Sequence, residues 1–506
     1  MRLLFLFLIL LGSVHHSIAD HFTDKKTKTD ANLTGHVINK NTGEHIPFFT
    51  VSLKGTTLGT ATDETGHYFL KHLPVGSYTI RVHGVGYRSA EKQIVLRQGE
   101  TRELNFEVEE DIIQLETVVI SANKNETNRM EAPVVVHVMT PKLFENTNSV
   151  CLAQGLSFQP GLRVETNCQN CGFQQVRING LDGPYTQLLL DGKALFSSLN
   201  GVYGIEQIPA GMIERVEVMR GGGSALYGAN AIGGTVNIIT KEPLNNLFMI
   251  SHNLIAIGNS AYDNTTSLNA SLINGQRNAG LYIFGTSRHR QHYDHDGDHF
   301  SEIGELELTT LGFRSYYKPS SQTKLTLEYH NIQEFRRGGN LFSLPPHETD
   351  ITEQADHDIN GGGVDFSFFS KDYTHKFSLY SSVQHTDRQS YYGAGKDPNA
   401  YGKTKDLTWV AGGMYVGNMD NCFFAPATFT SGLEYQNNSL HDIMTGYHRD
   451  MEQDVRIASA FVQNEWKMNV LTMLVGARLD KHNLIDKLIF SPRANLLYKQ
   501  TDDFQA

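Results

Sequence analysis

From Leu247 onward the chain alternates apolar and polar residues in long runs separated by glycine or polar turns. Asn278–His289, Glu305–Tyr317, Lys324–Phe335, His375–Asp387, Leu407–Tyr415, Arg456–Trp466 and Leu471–Leu479 are the clearest of roughly a dozen such segments. A period of two puts successive side chains on opposite faces of a strand. Strands of about 10 residues with one apolar and one polar face predict a membrane-spanning antiparallel β-barrel, apolar to lipid and polar to lumen. Before this region the alternation comes in shorter pieces. Thr50–Lys54, Tyr68–Leu70 and Tyr78–His83 are set apart by turn signals at Asn41–Gly43, Asp63–Gly66 and Pro74–Gly76, predicting seven or so short strands in a small β-sandwich. Residues 131–243 mix both habits, with strands at Ala132–Met139, Gln175–Gly180 and Thr186–Gly192, a helix starting at Pro141–Phe144 and another at Cys151–Phe158.

The densest punctuation lies in Glu214–Pro243: a short alternating strand, three glycines, a small-residue turn holding Tyr227, a glycine pair and a β-branched run. Bare, it reads as a Gly-rich turn between two strands. It is not a phosphate loop, because no Gly-Lys-Ser/Thr follows. The order Arg215-Val-Glu-Val, Arg220-Gly, Ser224-Ala-Leu-Tyr-Gly and Ile232-Gly-Gly-Thr-Val-Asn-Ile-Ile closely resembles the end of the plug domain of TonB-dependent outer-membrane receptors. That family commonly has proline after the Arg-Gly, where this chain has Gly222. Gly66-x-Tyr68-x-Leu70, Leu73-Pro74-x-Gly76-x-Tyr78 and Gly86-Tyr87 resemble the carboxypeptidase regulatory-like domain, an Ig-like accessory module without peptidase chemistry. The resemblance implies a mostly β chain: signal peptide 1–19, sandwich 32–109, linker 110–130, α+β plug 131–243 and part of a transmembrane barrel, 244–506. The family's barrels have twenty-two strands and an aromatic terminal strand; with about half that number and an end at Asp502–Ala506, the sequence is expected to be a fragment.

Composition changes the picture in three places. The run Leu3–Leu11 after Arg2, with Ser17-Ile-Ala19 before Asp20, is a signal peptide, so the chain is exported. A net charge of -11 argues against nucleic acid as a partner. Four cysteines are present, and Cys168-x-x-Cys171 alone could be a metal half-site or a redox motif, although no second pair or nearby histidine completes a zinc site. In an oxidising compartment a structural disulfide within a plug loop is the favoured reading.

Candidate functional residues follow. Leu115, Glu116, Thr117, Val118, Val119, Ile120 and Ser121 form an isolated β-prone heptad whose free edges would accept an added strand. It otherwise reads as the last strand of the sandwich. By resemblance it is the TonB box, the attachment point for TonB with its ExbB/ExbD energising complex, on the periplasmic side. The family's plug loops point towards substrate, which makes Asp182, Tyr185, Phe196, Asn200 and Tyr203 candidate contacts. Asp294, Asp296, Asp298, Glu302 and Glu305 have the spacing of a calcium loop, with His299 in place of the glycine at the sharp turn; a solvated acidic loop is the plainer reading, and no cofactor is required. His299-x-x-Glu302 has a zinc-peptidase spacing by chance, and no catalytic constellation appears. The family's ligands are ferric siderophores, cobalamin, haem or, in some members, glycans. Thirteen of the 22 histidines follow Leu247 while residues 131–243 hold only His137, so haem ranks below a metal chelate or cobalamin, with His289, His292, His295 and His299 its candidate ligands. The alternatives to an importer are a non-transporting surface or adhesion receptor and a glycan importer of the same family.

Overall fold

The structure, a computed structural model, describes residues 31–505 apart from 41, 55, 57, 64, 85–86, 110–117, 123, 125–126, 130–131, 167–171, 173, 195–199, 259 and 502–503. The signal peptide, Leu115–Thr117, Cys168, Cys171 and Phe196 therefore lie outside the described residues. The fold is mostly β and divides into two compact units.

The first unit is a sandwich of strands β1 (Ala31–Asn39), β2 (Thr50–Leu53), β3 (Gly59–Ala61), β4 (His67–Leu73), β5 (Gly76–His83), β6 (Ala90–Leu96), β7 (Thr101–Glu103) and β8 (Phe106–Val108). One sheet has the order β4-β1-β7, with β8 also on β1; the other has the order β3-β2-β5-β6. Strand β1 buries every second residue, placing Leu33 and Val37 against a core that includes Val51, Leu53, Ile80, Val82, Ile94 and Phe106. Alternation here does what it does in any soluble sandwich: apolar in, polar out.

The second unit holds the plug and a large sheet. Two short strands, β9 (Val118–Val119) and β10 (Thr127–Asn128), pair antiparallel. The plug sheet has the order β11 (Val136–Met139), β15 (Ile213–Arg220), β16 (Gly234–Thr240), β14 (Thr186–Leu190), while β12 (Leu162–Thr166) and β13 (Gln174–Ile178) form a separate hairpin. Helices α1 (Pro141–Asn146), α2 (Leu152–Leu156), α3 (Asn200–Gln207) and α4 (Ser224–Tyr227) complete it. Proline at the start of α1 sits where its missing N–H costs nothing.

A meander of antiparallel strands follows: β17 (Leu247–Ile257), β18 (Ala261–Ile273), β19 (Ala279–Arg290), β20 (Glu305–Ser320), β21 (Thr323–Gly339), β22 (Ile351–Phe369), β23 (His375–Ala394), β24 (Tyr401–Cys422), β25 (Ala425–Met444), β26 (Arg449–Lys467), β27 (Leu471–His482), β28 (Ile489–Thr501) and the stub β29 (Phe504–Gln505). Each pairs with the next, leaving β17 and β29 as the edges of an open sheet among the described residues. Seven strands, β20 to β26, run from 16 to 22 residues, well beyond the expected 10. A crossing needs only about 9–11 residues, so the excess extends past the apolar layer. The apolar face is turned outward: Leu311, Phe377, Leu379, Leu433, Val475 and Leu496 are exposed, while Thr310, Gln384, Thr386, Arg388 and Glu434's neighbour Arg478 are buried. No helix among the described residues is long and apolar enough to cross a membrane, which says nothing about strands.

Candidate functional site

The glycines of the densest stretch each solve a local problem. Gly221 and Gly222 take φ of +65° and +63°, so the chain leaves β15 through two left-handed residues. Proline cannot adopt the second of these, which is the conformational counterpart of the departure at Gly222. At Gly234 a Cβ would lie 2.3 Å from the Met219 carbonyl oxygen, so only glycine lets β16 start beside the end of β15. The two strands then pair from Ile213–Thr240 to Arg220–Gly234. Their apolar side, Val216, Val218, Val236 and Ile238, joins Leu152, Leu156, Ile205 and Ile208 in one core.

Two polar side chains of this pair do not face that core. Glu217 is fully buried, and its carboxylate accepts from the Ile120 N–H at 2.9 Å, the Ser121 N–H at 2.8 Å, the Ser121 hydroxyl at 2.7 Å and Arg215 Nε at 2.8 Å. Asn237 Nδ2 donates to Ser121 Oγ at 3.1 Å, and the Tyr227 hydroxyl donates to the Ser121 carbonyl at 3.3 Å. Arg493 on β28 donates to the Ala122 carbonyl at 3.0 Å, and Lys124 pairs with Glu434 on β25 at 3.6 Å while lying over the rings of Tyr227 and Phe461. Burial pushes the Lys124 ammonium below its usual range, with Glu434 acting in the opposite direction. The carboxyl end of the heptad is thus a latch: one segment tied at once to the plug sheet and to the strand wall. Within the heptad, Val118–Val119 pair along one edge with Thr127–Asn128, which is not a sandwich strand; Leu115–Thr117 lie outside the described residues.

A second set of polar contacts joins the plug to the strands around it. Glu206 on α3 meets Arg288 at 3.1 Å, Arg290 at 3.0 Å and Arg336 at 3.5 Å; Arg288 also pairs with Asp263, and Arg336 with Glu334. Burial alone would raise the Glu206 carboxyl, but the guanidiniums of Arg290, Arg288 and Arg336 outweigh it and hold the group at about 2. Gln207 reaches Glu334 at 3.1 Å. Towards the other end of the same strands, Arg314 bonds Asp191 and Thr240, Lys193 pairs with Asp365 at 2.5 Å, and Lys324 pairs with Glu242 at 2.6 Å. Apolar contact across this boundary includes Tyr282 and Phe284 in one cluster and Phe461, with Leu226 and Tyr227, in another. A boundary built from ion pairs can be rehydrated when it opens, whereas an apolar weld of equal area could not. The cavity beside it, lined by Ile208, Met212, Phe284, His330 and Gln384, has a volume of about 30 Å³, room for a water or two and not for a chelate.

The candidate contacts fall as follows. Asp182 is exposed and pairs with Arg177 at 3.1 Å, and Tyr185 ends the short 3-10 turn Gly183–Tyr185 with its ring exposed. Asn200 and Tyr203 were expected in a loop; they lie in helix α3. In the acidic loop, Asp294, Asp296, Asp298 and Glu302 converge, one oxygen of each within 4.8 Å of the others, and these are the residues there that could hold a divalent cation. Glu305 is not among them and begins β20. The chain takes the sharp turn at His299 all the same, with φ of +74°, and Asp294 accepts from the N–H groups of Gly297 and His299. Of the four histidines assigned to this loop, His289 lies on β19 facing Glu307, His292 stacks on Phe342 at 3.7 Å, and His295 meets the Tyr293 hydroxyl. The Glu206 network escaped sequence reading. Its one signal was charge at alternate strand positions, Arg288 with Arg290 and Glu334 with Arg336, on the face that should carry the polar lumen.

Three family descriptions match the chain: a CarboxypepD_reg-like domain over residues 33–120, a TonB-dependent Receptor Plug Domain over 128–235 and a TonB dependent receptor-like beta-barrel over 251–506. Among curated proteins, the vitamin B12 transporter BtuB of Vibrio vulnificus is 35% identical over 127 residues, 25% of this chain and 21% of that protein. The transporter of the same name from Vibrio cholerae is 31% identical over 126 residues, again 25% and 21%. Among solved structures, the siderophore receptor PirA from Acinetobacter baumannii superposes with a TM-score of 0.62 at 18% identity, covering 74% of this chain and 60% of that one. The ferric enterobactin receptor PfeA from Pseudomonas aeruginosa, as a mutant, gives 0.61 at 19% identity, covering 72% and 60%. These structures share the fold, and the chain spans 60% of their length and about a fifth of that of the curated relatives.

Proposed function

The chain belongs to the TonB-dependent receptor family, and from that premise we propose that it serves in energised import across the outer membrane of a scarce, large ligand, a ferric chelate or cobalamin before haem. In this reading Leu115–Ser121 adds as a strand to TonB on the periplasmic side, and the pull is delivered to the plug. The observation that carries the reading is the Ser121–Glu217 latch. Tension on the heptad is borne first by three hydrogen bonds to one buried carboxylate on β15, so movement of the segment must either break them or move that strand. The ion-paired boundary around Glu206 and Asp191 supports the same reading, since a gate that opens in water gains from contacts that water can replace. The similar proteins, a vitamin B12 transporter and siderophore receptors, suggest the ligand classes to try first.

The test is uptake by the full-length receptor. Cells carrying the gene should accumulate labelled cyanocobalamin or a labelled ferric siderophore, and Val118→Pro should abolish accumulation while surface binding persists, because proline removes a ladder donor and forbids strand addition. Accumulation at the normal rate in that variant would end the assignment of the box. Binding without accumulation by the unaltered receptor would favour a surface receptor instead.

A further inference from the structure

Three histidines of the first unit, unused above, come together on one face. Strand β1 turns its even-numbered residues away from the sandwich core, and His36 is one of them. In the register of β1 with β4, His36 is the direct cross-strand partner of His67. Two residues further along β1, on the same face, Ile38 bridges to His45, so the segment after the Thr42–Gly43 turn takes up the edge where β4 begins. The result is three imidazoles in mutual contact. Ring centroids are 5.0 Å apart for His36 and His45, 4.8 Å for His45 and His67, and 5.7 Å for His36 and His67.

Their protons are also arranged. His45 Nδ1 lies 2.9 Å from the Thr65 carbonyl oxygen, which can only accept, so Nδ1 carries the proton and Nε2 is left basic. The Thr65 hydroxyl donates to Asp63 Oδ1 at 2.7 Å and therefore accepts from His67 Nδ1 at 3.0 Å, which leaves His67 Nε2 basic as well. The Thr65 hydroxyl bond, with burial acting against it and backbone N–H groups adding to it, holds the Asp63 carboxyl below its usual range. Gly66, at φ +77°, lets this turn press against His45: a Cβ there would sit 2.7 Å from the Cβ of His45.

We propose that His36, His45 and His67 form a site for a first-row transition-metal ion of the zinc class. A metal about 2.0–2.1 Å from each of three imidazole nitrogens, with bond angles between square and tetrahedral, sets ring centroids about 4.5–5.2 Å apart. Two of the three spacings fall in that range and the third is half an ångström beyond it. Ligating histidines characteristically donate their other N–H to a carbonyl or a carboxylate-linked group, and Thr65 with Asp63 supplies both here. Closing the site requires the three Nε2 atoms to converge, and His45 and His67 are both exposed and so have room to move. Imidazole donors suit zinc, copper and nickel rather than calcium or magnesium. Three ligands leave a fourth position for water or an incoming donor.

The test uses the untagged full chain in detergent, stripped with EDTA and titrated with zinc chloride against a chromophoric chelator. One zinc per chain with micromolar or tighter Kd is expected. His45→Ala and His67→Ala should each weaken it about 100-fold or more, and Thr65→Ala about 10–100-fold. Zinc should also raise the unfolding midpoint of the first unit in the unaltered chain, a readout that needs no variant to fold. Stoichiometric zinc that survives both histidine changes, zinc that is lost instead when His289, His292, His295 and His299 are replaced, or no binding tighter than about millimolar would each overturn the assignment.

Discussion

In the sandwich, β1 buries Leu33 and Val37 and turns Thr34, His36 and Ile38 outward; in the large sheet, β23 turns Phe377, Leu379 and Val383 outward and buries Ser382, Gln384, Thr386 and Arg388. Both strands alternate with the same period of two. What differs is which half meets solvent, and that is decided by the solvent itself: water against the sandwich, hydrocarbon against the sheet. The polar inner face of the sheet then has to be satisfied by something, and here it is the plug, through Glu206, Asp191, Lys193 and Glu242. Burial alone is therefore a poor guide to stability in this chain. Ile80 is buried because it is apolar, and Arg336 because it is paired.

The comparison can be broken most severely from the sandwich side. Ile80→Asp places a carboxylate in an apolar core and should cost about 4–5 kcal/mol or more, seen as proteolysis of residues 31–108 with the rest of the chain resistant. Next in size is Glu334→Leu, which takes from Arg336 its nearer carboxylate and leaves it Glu206 at 3.5 Å, and should cost about 3 kcal/mol by urea unfolding, whereas Glu334→Leu with Arg336→Leu should cost less than the single change. Third, Leu379→Arg on the outward face, where 63% of the residue is exposed, should cost about 2–4 kcal/mol in a bilayer, although its exposure would mark it as harmless in a soluble protein. Ser121→Ala removes one bond to Glu217 and should cost about 1–2 kcal/mol locally, read as faster amide exchange at Ile120 and Ser121. The smallest effect is acid. His36 titrates below its unfolded value, so its contribution is present above about pH 6.5 and is lost as pH falls below that. In EDTA the unfolding midpoint of the sandwich should drop slightly between pH 7 and 5.5.

The sheet and the plug were legible because period-two alternation, Asn-Gly and Asp-Gly turns and the glycines around Tyr227 are local signals. The eight strands found in the sandwich come close to the seven or so expected, for the same reason. What was hidden depended on register. Thr127–Asn128 has no β signature and becomes a strand only because Val118–Val119 lies beside it. His36, His45 and His67 are separated by turns, and only the pairing of β1 with β4 brings them together. Tyr203 is placed in a loop by the family resemblance, yet its segment is a helix that carries Glu206 to three arginines. The full length of strands such as β24 is hidden because the outward residues there turn polar, as at Lys403 and Lys405, beside the buried polar Thr404 and Asp406, so the apolar–polar alternation fades.

That length has a consequence outside the lipid. Strand β24, with 22 residues, extends about 70 Å at about 3.3 Å per residue, or about 50 Å of height at a tilt near 45°, against a hydrocarbon layer about 30 Å thick. The surplus forms a palisade of paired hairpins standing clear of the bilayer. An antibody or protease arriving from the aqueous side would meet that rim first, and because its edges are hydrogen-bonded strand rather than loose loop, antibodies raised against it should recognise the folded shape and fail on the denatured chain.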